Sequence, residues 1–232
     1  MKIKAIRTTL FKPHDNLISF IEKYFPLFTE KSILVITSKI VALAEGRLVK
    51  YIDEKNKVKT IRQESDSVIQ TKYVYLTIKD GTVMANAGID ESNADGNLIL
   101  LPNDSFKSAA KIRKYFCDQH NLKHFGVIIT DSRCLPLRAG VVGVAIGYAG
   151  FKGLKEYRGK LDIFKRPFVY ERVDIADSLA TAAVLCMGEG NEKKPLALIK
   201  EAPVEYSQRT DKNELKIDIK EDMYGPLFRK IK

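Results

Sequence analysis

Two stretches concentrate side chains whose types and spacing suit chemistry. The first runs from Gly126 to Gly150, GVIITDSRCLPLRAGVVGVAIGYAG. Its opening, Val127-Ile128-Ile129-Thr130, is rich in β-branched residues, which suits a strand buried on both faces. The strand is expected to stop at Asp131-Ser132. An acid and a hydroxyl leaving the end of a buried strand are held at a fixed point by the sheet, which is how many α/β proteins present ligands to a metal or phosphate. A turn-favouring Asp-Ser pair would end a strand equally well. Pro136, Arg138 and the glycines Gly140, Gly143, Gly147 and Gly150 then supply a cation and a backbone that something can approach closely. The second stretch, Val83 to Gly96, reads VMANAGIDESNADG. A small, apolar approach through Ala85, Ala87 and Gly88 ends in Asp90-Glu91-Ser92-Asn93. Asp90 and Asn93, three apart, suit one ligand, the carboxylate on a metal and the amide on a phosphate or base. The same residues also read as a solvated loop, and only a meeting with Asp131 would lift them above that.

Two further groupings carry weaker signals. Ser38-Lys39 follows the run SILVIT, so a strand would deliver a hydroxyl and an ammonium to a helix start, a plausible anion site. The pattern GxxxxGK[ST] is absent, so a nucleotide must be held in another way. Cys117, His120 and His124 have the spacing of half a zinc site, but no partner cysteines lie upstream, and histidines in a last helical turn are explained by the helix dipole.

The elements that must position these residues follow from periodicity and punctuation. Lys2 to Leu10 reads as a strand entering a loop, and Asp15 or Asn16 caps a helix with Leu17, Ile18, Ile21, Tyr24 and Phe25 at helical spacing. Ser32–Thr37 is a second buried strand, and IVALAEG a short helix closed by Gly46. Tyr51 to Ser67 is polar and irregular, an excursion or a surface helix. Tyr73–Ile78 and Leu98–Leu101 read as strands, and Pro102-Asn103-Asp104-Ser105 starts a helix that runs to about Gln119. Phe151 to Pro167 mixes aromatic and basic residues and would cover a substrate or form a hairpin. Asp174 caps a helix whose Ala180, Ala182 and Ala183 allow close packing; it ends in Gly188-Glu189-Gly190. Pro195–Ile199 is a last buried strand. Beyond Pro203 a further strand, LKIDI (residues 215–219), and a loosely attached tail are expected.

The 232 residues, 45% hydrophobic and 29% charged, describe a globular chain able to bury a substantial core. No apolar run approaches the roughly 20 residues that span a bilayer, and no signal peptide is evident, so no membrane partner and a cytoplasmic location are expected. Three cysteines in no CxxC pair indicate neither a disulfide framework nor a zinc ribbon. The net charge of +10 raises nucleic acid as a partner. The lysines are interleaved with acids, as in EYRGKLDIFKRP, and no recognition helix or aromatic RNA motif stands out, so a small polyanion is the better explanation.

Taken together and in order, SKIVALAEGR, AGIDESN, LLPNDSFKSAAKIR, GVIITDS, AIGYAG, RGKLDIF, DIADSLATAA and MGEGNEKKPLALI resemble the motifs of the coenzyme F420-0:γ-glutamyl ligase family, across roughly Thr8 to Ile199. The resemblance implies an α+β fold with mixed sheets and packed helices, and an intertwined homodimer. It implies a ligase-like domain over residues 1–202, in one or two subdomains, followed by a charged segment over 203–232. It further implies amide formation that depends on GTP (or ATP) and Mg²⁺ or Mn²⁺, through an acyl phosphate that L-glutamate attacks. By position, it makes Asp90, Asp131, Ser132 and Glu189 metal ligands, Ser132 standing where the family usually has Thr and Glu189 where it commonly has Gln. It assigns Thr8, Thr9, Leu10, Phe11, Ser38, Lys39, Asn93, Gly188 and Glu189 to the nucleotide, and Arg138 to catalysis beside Asp90 and Asp131. Two acids with further oxygen donors suit a hard cation and not Zn²⁺.

The chain departs from the family where a GRPWR-like segment becomes Cys134-Leu135-Pro136-Leu137-Arg138, and where a lysine of the nucleotide region becomes Leu43. Loss of an aromatic and an arginine removes stacking and charge pairing for a deazaflavin acceptor. The expected acceptor is therefore F420-0, with a folate or pteroate-type acceptor as the alternative. A nucleotide- or metal-binding module without ligase chemistry ranks second, and a basic nucleic-acid binder third.

Overall fold

The structure, a computed structural model, describes residues 1–228. The chain enters as β1 (Lys2–Ile6) and α1 (Leu17–Tyr24), whose first turn is capped by Asn16, accepting from the Ser19 amide at 3.0 Å. β2 (Ser32–Thr37) passes directly into α2 (Ser38–Ala44), which closes at Gly46 in the left-handed region. An inserted lobe follows: β3 (Leu48–Lys50), α3 (Glu54–Gln63), β4 (Ser67–Gln70), β5 (Tyr75–Lys79), β6 (Thr82–Ala85), a 3-10 turn at Asn86–Gly88 and β7 (Asn97–Ile99). α4 (Ser105–His120), β8 (Phe125–Arg133), β9 (Val142–Ala149), β10 (Leu154–Glu156), β11 (Arg172–Asp174), α5 (Ile175–Met187), β12 (Leu196–Lys200) and α6 (Gly225–Phe228) complete the order.

The main sheet is mixed, in the order β1-β12-β2-β8-β9, with β2 and β8 parallel and the other pairs antiparallel. Every residue of β2 from Ser32 to Ile36 is buried, because the sheet is covered on both faces. Leu34 and Ile36 face α1, α2 and α4, where Phe28 packs on Phe116 and Phe125 with ring centroids 4.8 and 4.9 Å apart. Ile33 and Val35 face α5, meeting Ala176, Leu179, Ala180 and Ala183. Each such aliphatic or aromatic side chain contributes about 1.5–3 kcal/mol relative to exposure. The inserted lobe has its own small core of Ile61, Ala87, Ile89, Leu98 and Leu100. An α+β chain with mixed sheets and packed helices is therefore what folds.

Two local expectations are corrected and two are narrowed. β8 does not stop before Asp131-Ser132; it continues to Arg133 because β9 keeps pairing with it, Asp131 opposite Val144 and Ser132 opposite Gly143. The pairing absorbs one extra residue, Ile146, as a bulge between Ile129 and Thr130. Three glycines of the run are approached by the protein itself: a Cβ at Gly143 would stand 2.4 Å from Val184 of α5, one at Gly147 2.4 Å from the Ser105 backbone of α4, and one at Gly150 2.2 Å from the Phe125 carbonyl. The first two allow helix-on-strand packing, and the third lets the chain leaving β9 pass close to the start of β8. Of the two readings of residues 51–67 the surface helix is the one that forms, α3, capped by Asp53, which accepts from the Asn56 amide at 2.7 Å. Residues 215–219 form no strand, and the segment before them is not loose: Val204, Tyr206 and Leu215 pack on the α5-side core, and Glu214 accepts from the Tyr148 hydroxyl at 2.6 Å and the Gly153 amide at 2.7 Å. Phe151 to Pro167 leads into the short β10–β11 pair.

Candidate active site

The topology brings the chemically notable residues to one end of the main sheet. β1 and β2 end there, β12 begins there, and β8 extends past the last β2 pairing, Thr37 with Thr130. Ligands commonly sit outside the carboxyl ends of parallel strands, where the helices and loops diverge. The Thr8–Phe11 segment after β1 is tied to the 188–194 loop, since the Thr8 amide donates to the Lys193 carbonyl at 2.8 Å.

Asp131 projects from the extended end of β8. Its Oδ1 accepts from the Ser38 hydroxyl at 3.4 Å, and its Oδ2 is paired with the guanidinium of Arg133. Arg133 is itself buried, and also reaches the Ser132 carbonyl at 3.1 Å and the Met84 sulfur of the inserted lobe at 3.6 Å. The sequence reading did not single out Arg133. Its signal was the strand period: residues 131 and 133 share a face, so the acid and the cation two apart meet. Ser132 faces the other way, as does Gly143 opposite it, toward α5. There its hydroxyl donates to both Glu189 oxygens at 2.8 and 2.9 Å. Glu189 is presented by Gly188, the left-handed cap of α5, where a Cβ would fall 2.4 Å from the Glu192 carboxyl carbon.

Asp90 comes from the inserted lobe. Its backbone is pinned to Ile99 by two 2.9 Å hydrogen bonds, and the turn before it needs Gly88, where a Cβ would stand 2.6 Å from the Leu101 side chain. Its Oδ1 accepts from the Ser92 amide at 2.6 Å, and its Oδ2 meets the Lys39 ammonium at 2.8 Å. Lys39 also donates to the Ser92 carbonyl at 2.8 Å. Asp131 and Asp90 are thus held by adjacent residues, Ser38 and Lys39, at the start of α2. In this arrangement the hydroxyl and the ammonium expected to cradle an anion are engaged with the two acids. Burial raises the Asp90 pKa, but the Lys39 ammonium and the Ser92 donors outweigh it and hold the carboxyl below its usual range.

The remaining predicted residues are distributed around this centre. Thr9 bonds the Tyr24 hydroxyl through its amide at 2.6 Å and its own hydroxyl at 2.8 Å, Leu10 is exposed, and Phe11 is buried edge-on against Phe20. Asn93 is exposed in a left-handed turn next to Ser92. Arg138 lies on the exposed loop between β8 and β9, and its side chain makes no hydrogen bond or ion pair among the described residues. The structure does not bring it against either acid. His120 stacks on Phe116, and His124 stands 3.3 Å from Glu30, so the zinc-like spacing is occupied by packing and a surface pair.

Among the described residues no three His, Cys, Asp or Glu side chains lie close enough to form a metal cluster. What the sheet end offers is oxygen alone: Asp131 on one face of β8, Asp90 across Lys39, and the Ser132–Glu189 pair on the other face. That donor chemistry fits a hard divalent cation of the Mg²⁺ type, which takes one or two protein carboxylates and fills its other positions with phosphate oxygens and water. No helix of the described residues is long and apolar enough to cross a membrane.

The chain is similar to known proteins. A family model described as F420-0:Gamma-glutamyl ligase matches residues 5–201. A protein of Methanococcus maripaludis named coenzyme F420:L-glutamate ligase is 36% identical, with 91% of this chain and 92% of that protein covered. Proteins of the same name from Methanopyrus kandleri and Archaeoglobus fulgidus are 34% and 33% identical. The first covers 82% of this chain and 82% of its own length, the second 82% and 83%.

Proposed function

The chain belongs to the F420-0:γ-glutamyl ligase family, whose members form C–N bonds, and from this premise we propose that it joins L-glutamate to a carboxylate acceptor at the expense of GTP or ATP. A carboxylate oxygen of the acceptor attacks the γ-phosphorus, the bond to the β–γ bridging oxygen breaks, and the nucleoside diphosphate leaves with the electron pair. The glutamate amine then attacks the acyl carbon of the resulting acyl phosphate. Inorganic phosphate departs, and the amine proton passes to solvent or a neighbouring carboxylate.

The observation that carries this reading is the meeting of Asp131 and Asp90, from separate parts of the chain, at the two adjacent residues Ser38 and Lys39. Asp90 and Asp131 are the residues that would hold Mg²⁺ or Mn²⁺; Ser132 and Glu189, assigned as further oxygen donors, pair with each other on the other face of β8. When bound, the cation neutralises charge on the phosphoryl oxygens. Ser38 and Lys39, which touch the two acids, and Asn93, exposed next to Ser92, are assigned to the nucleotide, as are the Thr8–Phe11 segment and Gly188. Arg133 holds the Asp131 carboxylate in orientation. Arg138, on its exposed loop, is assigned to the incoming acceptor.

The acceptor is F420-0 in this reading, because the matching family is described by F420-0 and the relatives are named for coenzyme F420. The exposed Leu135 and Leu137 favour a second acceptor, a pteroate-type ring system that needs apolar contact more than charge pairing. A homodimer belongs to the same reading and is supported by Leu161, Ile163, Phe164, Val169 and Tyr170, all exposed in the stretch between β10 and β11. Light scattering reads its mass directly.

The test is nucleotide cleavage that requires glutamate, Mg²⁺ or Mn²⁺ and an acceptor, with products read by mass spectrometry from F420-0 and dihydropteroate in parallel. Asp131→Ala is expected to lower turnover by at least about a hundredfold. Full turnover in that variant with an unchanged metal requirement would overturn the site.

A further inference from the structure

A cavity lies at the end of the β8–β9 ribbon opposite Asp131, bounded by α4, the end of β9 and the C-terminal segment, with a volume of about 310 Å³. It borders Gly150, beside the Phe125 carbonyl at the start of β8. Six residues of extended strand separate Phe125 from Asp131, about 20 Å. This cavity is therefore independent of the carboxylate centre and of the function assigned to it.

Three cations, Lys107, Arg113 and Lys212, line the cavity against one acid, Asp104. Asp104 is partly committed, since its Oδ1 accepts from the Lys107 amide at 2.9 Å to cap α4. Arg113 is fixed by its Nε on the Phe125 carbonyl at 2.8 Å and by one Nη2 on Gln208 at 2.9 Å, which leaves Nη1 without a protein partner among the described residues. The ammonium groups of Lys107 and Lys212 meet no acceptor among the described residues. The Thr210 hydroxyl accepts a long 3.4 Å bond from the Gly150 amide and donates to nothing described. The floor includes buried Tyr148 and Ala149, with Phe106 edge-on to Tyr148 at 5.1 Å.

Like charges gathered over a low-dielectric floor repel one another unless an anion enters, and the same floor strengthens their hold on one that does. We propose that this cavity binds a compact anion of two or more negative charges, of the phosphate or dicarboxylate class. Lys107 and Lys212 approach it from α4 and from the C-terminal segment, and the Arg113 Nη1 and the Thr210 hydroxyl complete the donor set. Lys212 belongs to the segment that Gln208 already ties to Arg113 of α4 and that the Ser207 amide ties to Gly150 at 3.0 Å, so the bound anion adds a further link between that segment and α4.

The experiment is amide-resolved NMR of the intact chain titrated separately with inorganic phosphate and with glutarate, each against sodium chloride at equal ionic strength. Saturable shifts are expected at Gly150 and Thr210, and the arm that produces them identifies the anion. Lys107→Ala with Lys212→Ala should weaken that binding at least about tenfold, as loss of two charge-assisted hydrogen bonds requires. Thr210→Val, which leaves both lysines in place, should weaken it to a smaller extent. Absence of saturable shifts at Gly150 and Thr210 in both arms overturns the proposal, as does a double-lysine variant that keeps wild-type affinity.

Discussion

The Asp131–Arg133 pair shows how a single strand sets the chemistry of the sheet end. The guanidinium is buried, and its principal counter-charge is one carboxylate two residues away. Replacing only the cation, in Arg133→Met, leaves the acid with Ser38 alone, at an expected cost of roughly 1–3 kcal/mol in urea unfolding. An unchanged midpoint would mean that solvent already satisfies Asp131. Lys39 does the equivalent for Asp90. Because that carboxyl titrates below its unfolded value, the stability it contributes is present above the ordinary carboxylate range and is lost only as pH falls through its lowered pKa. Arg133 was within reach of the sequence through the strand period. Arg138, which composition and motif both highlighted, lies on an exposed loop that no periodicity could place.

At the scale of elements, α5 carries an opposite pH signature. Its N-cap, Asp174, accepts from the Asp177 amide at 2.9 Å, while Asp177 accepts from the Ala145 amide at 2.8 Å. Burial, then repulsion from Asp177, pushes the Asp174 pKa up to about 6. A raised folded pKa contributes stability that is fully present below the unfolded value and lost as pH rises through about 6. Unfolding free energy is therefore expected to increase as pH is lowered from 7 to about 5 by this group. Asp174→Asn, which keeps a capping oxygen, should flatten that slope; an identical slope in the variant would assign it elsewhere. The helix and its cap were legible from Asp174 and the alanine run. The close approach that explains Gly143 and Gly147 was not, because the run of glycines looks the same whether a ligand or a helix comes near.

At the scale of the molecule, the two faces of one sheet and the inserted lobe are tied by a few long-range contacts. Lys39 to Asp90 and Arg133 to Met84 join the lobe to the sheet end. Glu214, far along the chain, binds the Tyr148 hydroxyl and the Gly153 amide, and its charge together with burial raises the Tyr148 pKa. Glu214→Ala should cost about 1.5–3 kcal/mol, the value of hydrogen bonds to a charged group, whereas a merely appended tail would show no change in thermal midpoint.

The sequence by itself determined the buried strands β2, β8 and β12, the starts of α4 and α5, and the family, because buried strands of β-branched residues, Asp104 and Asp174 before helices, and an ordered motif set are local signals carried by adjacent residues. It could not determine that β8 runs on through Asp131, that Ser132 turns to the opposite face from Asp131, or that the last segment lacks a strand yet packs on the core. Those depend on what lies across the sheet: a pairing partner decides where a strand ends, the pleat decides which face a side chain takes, and a neighbouring core decides whether a charged tail is held.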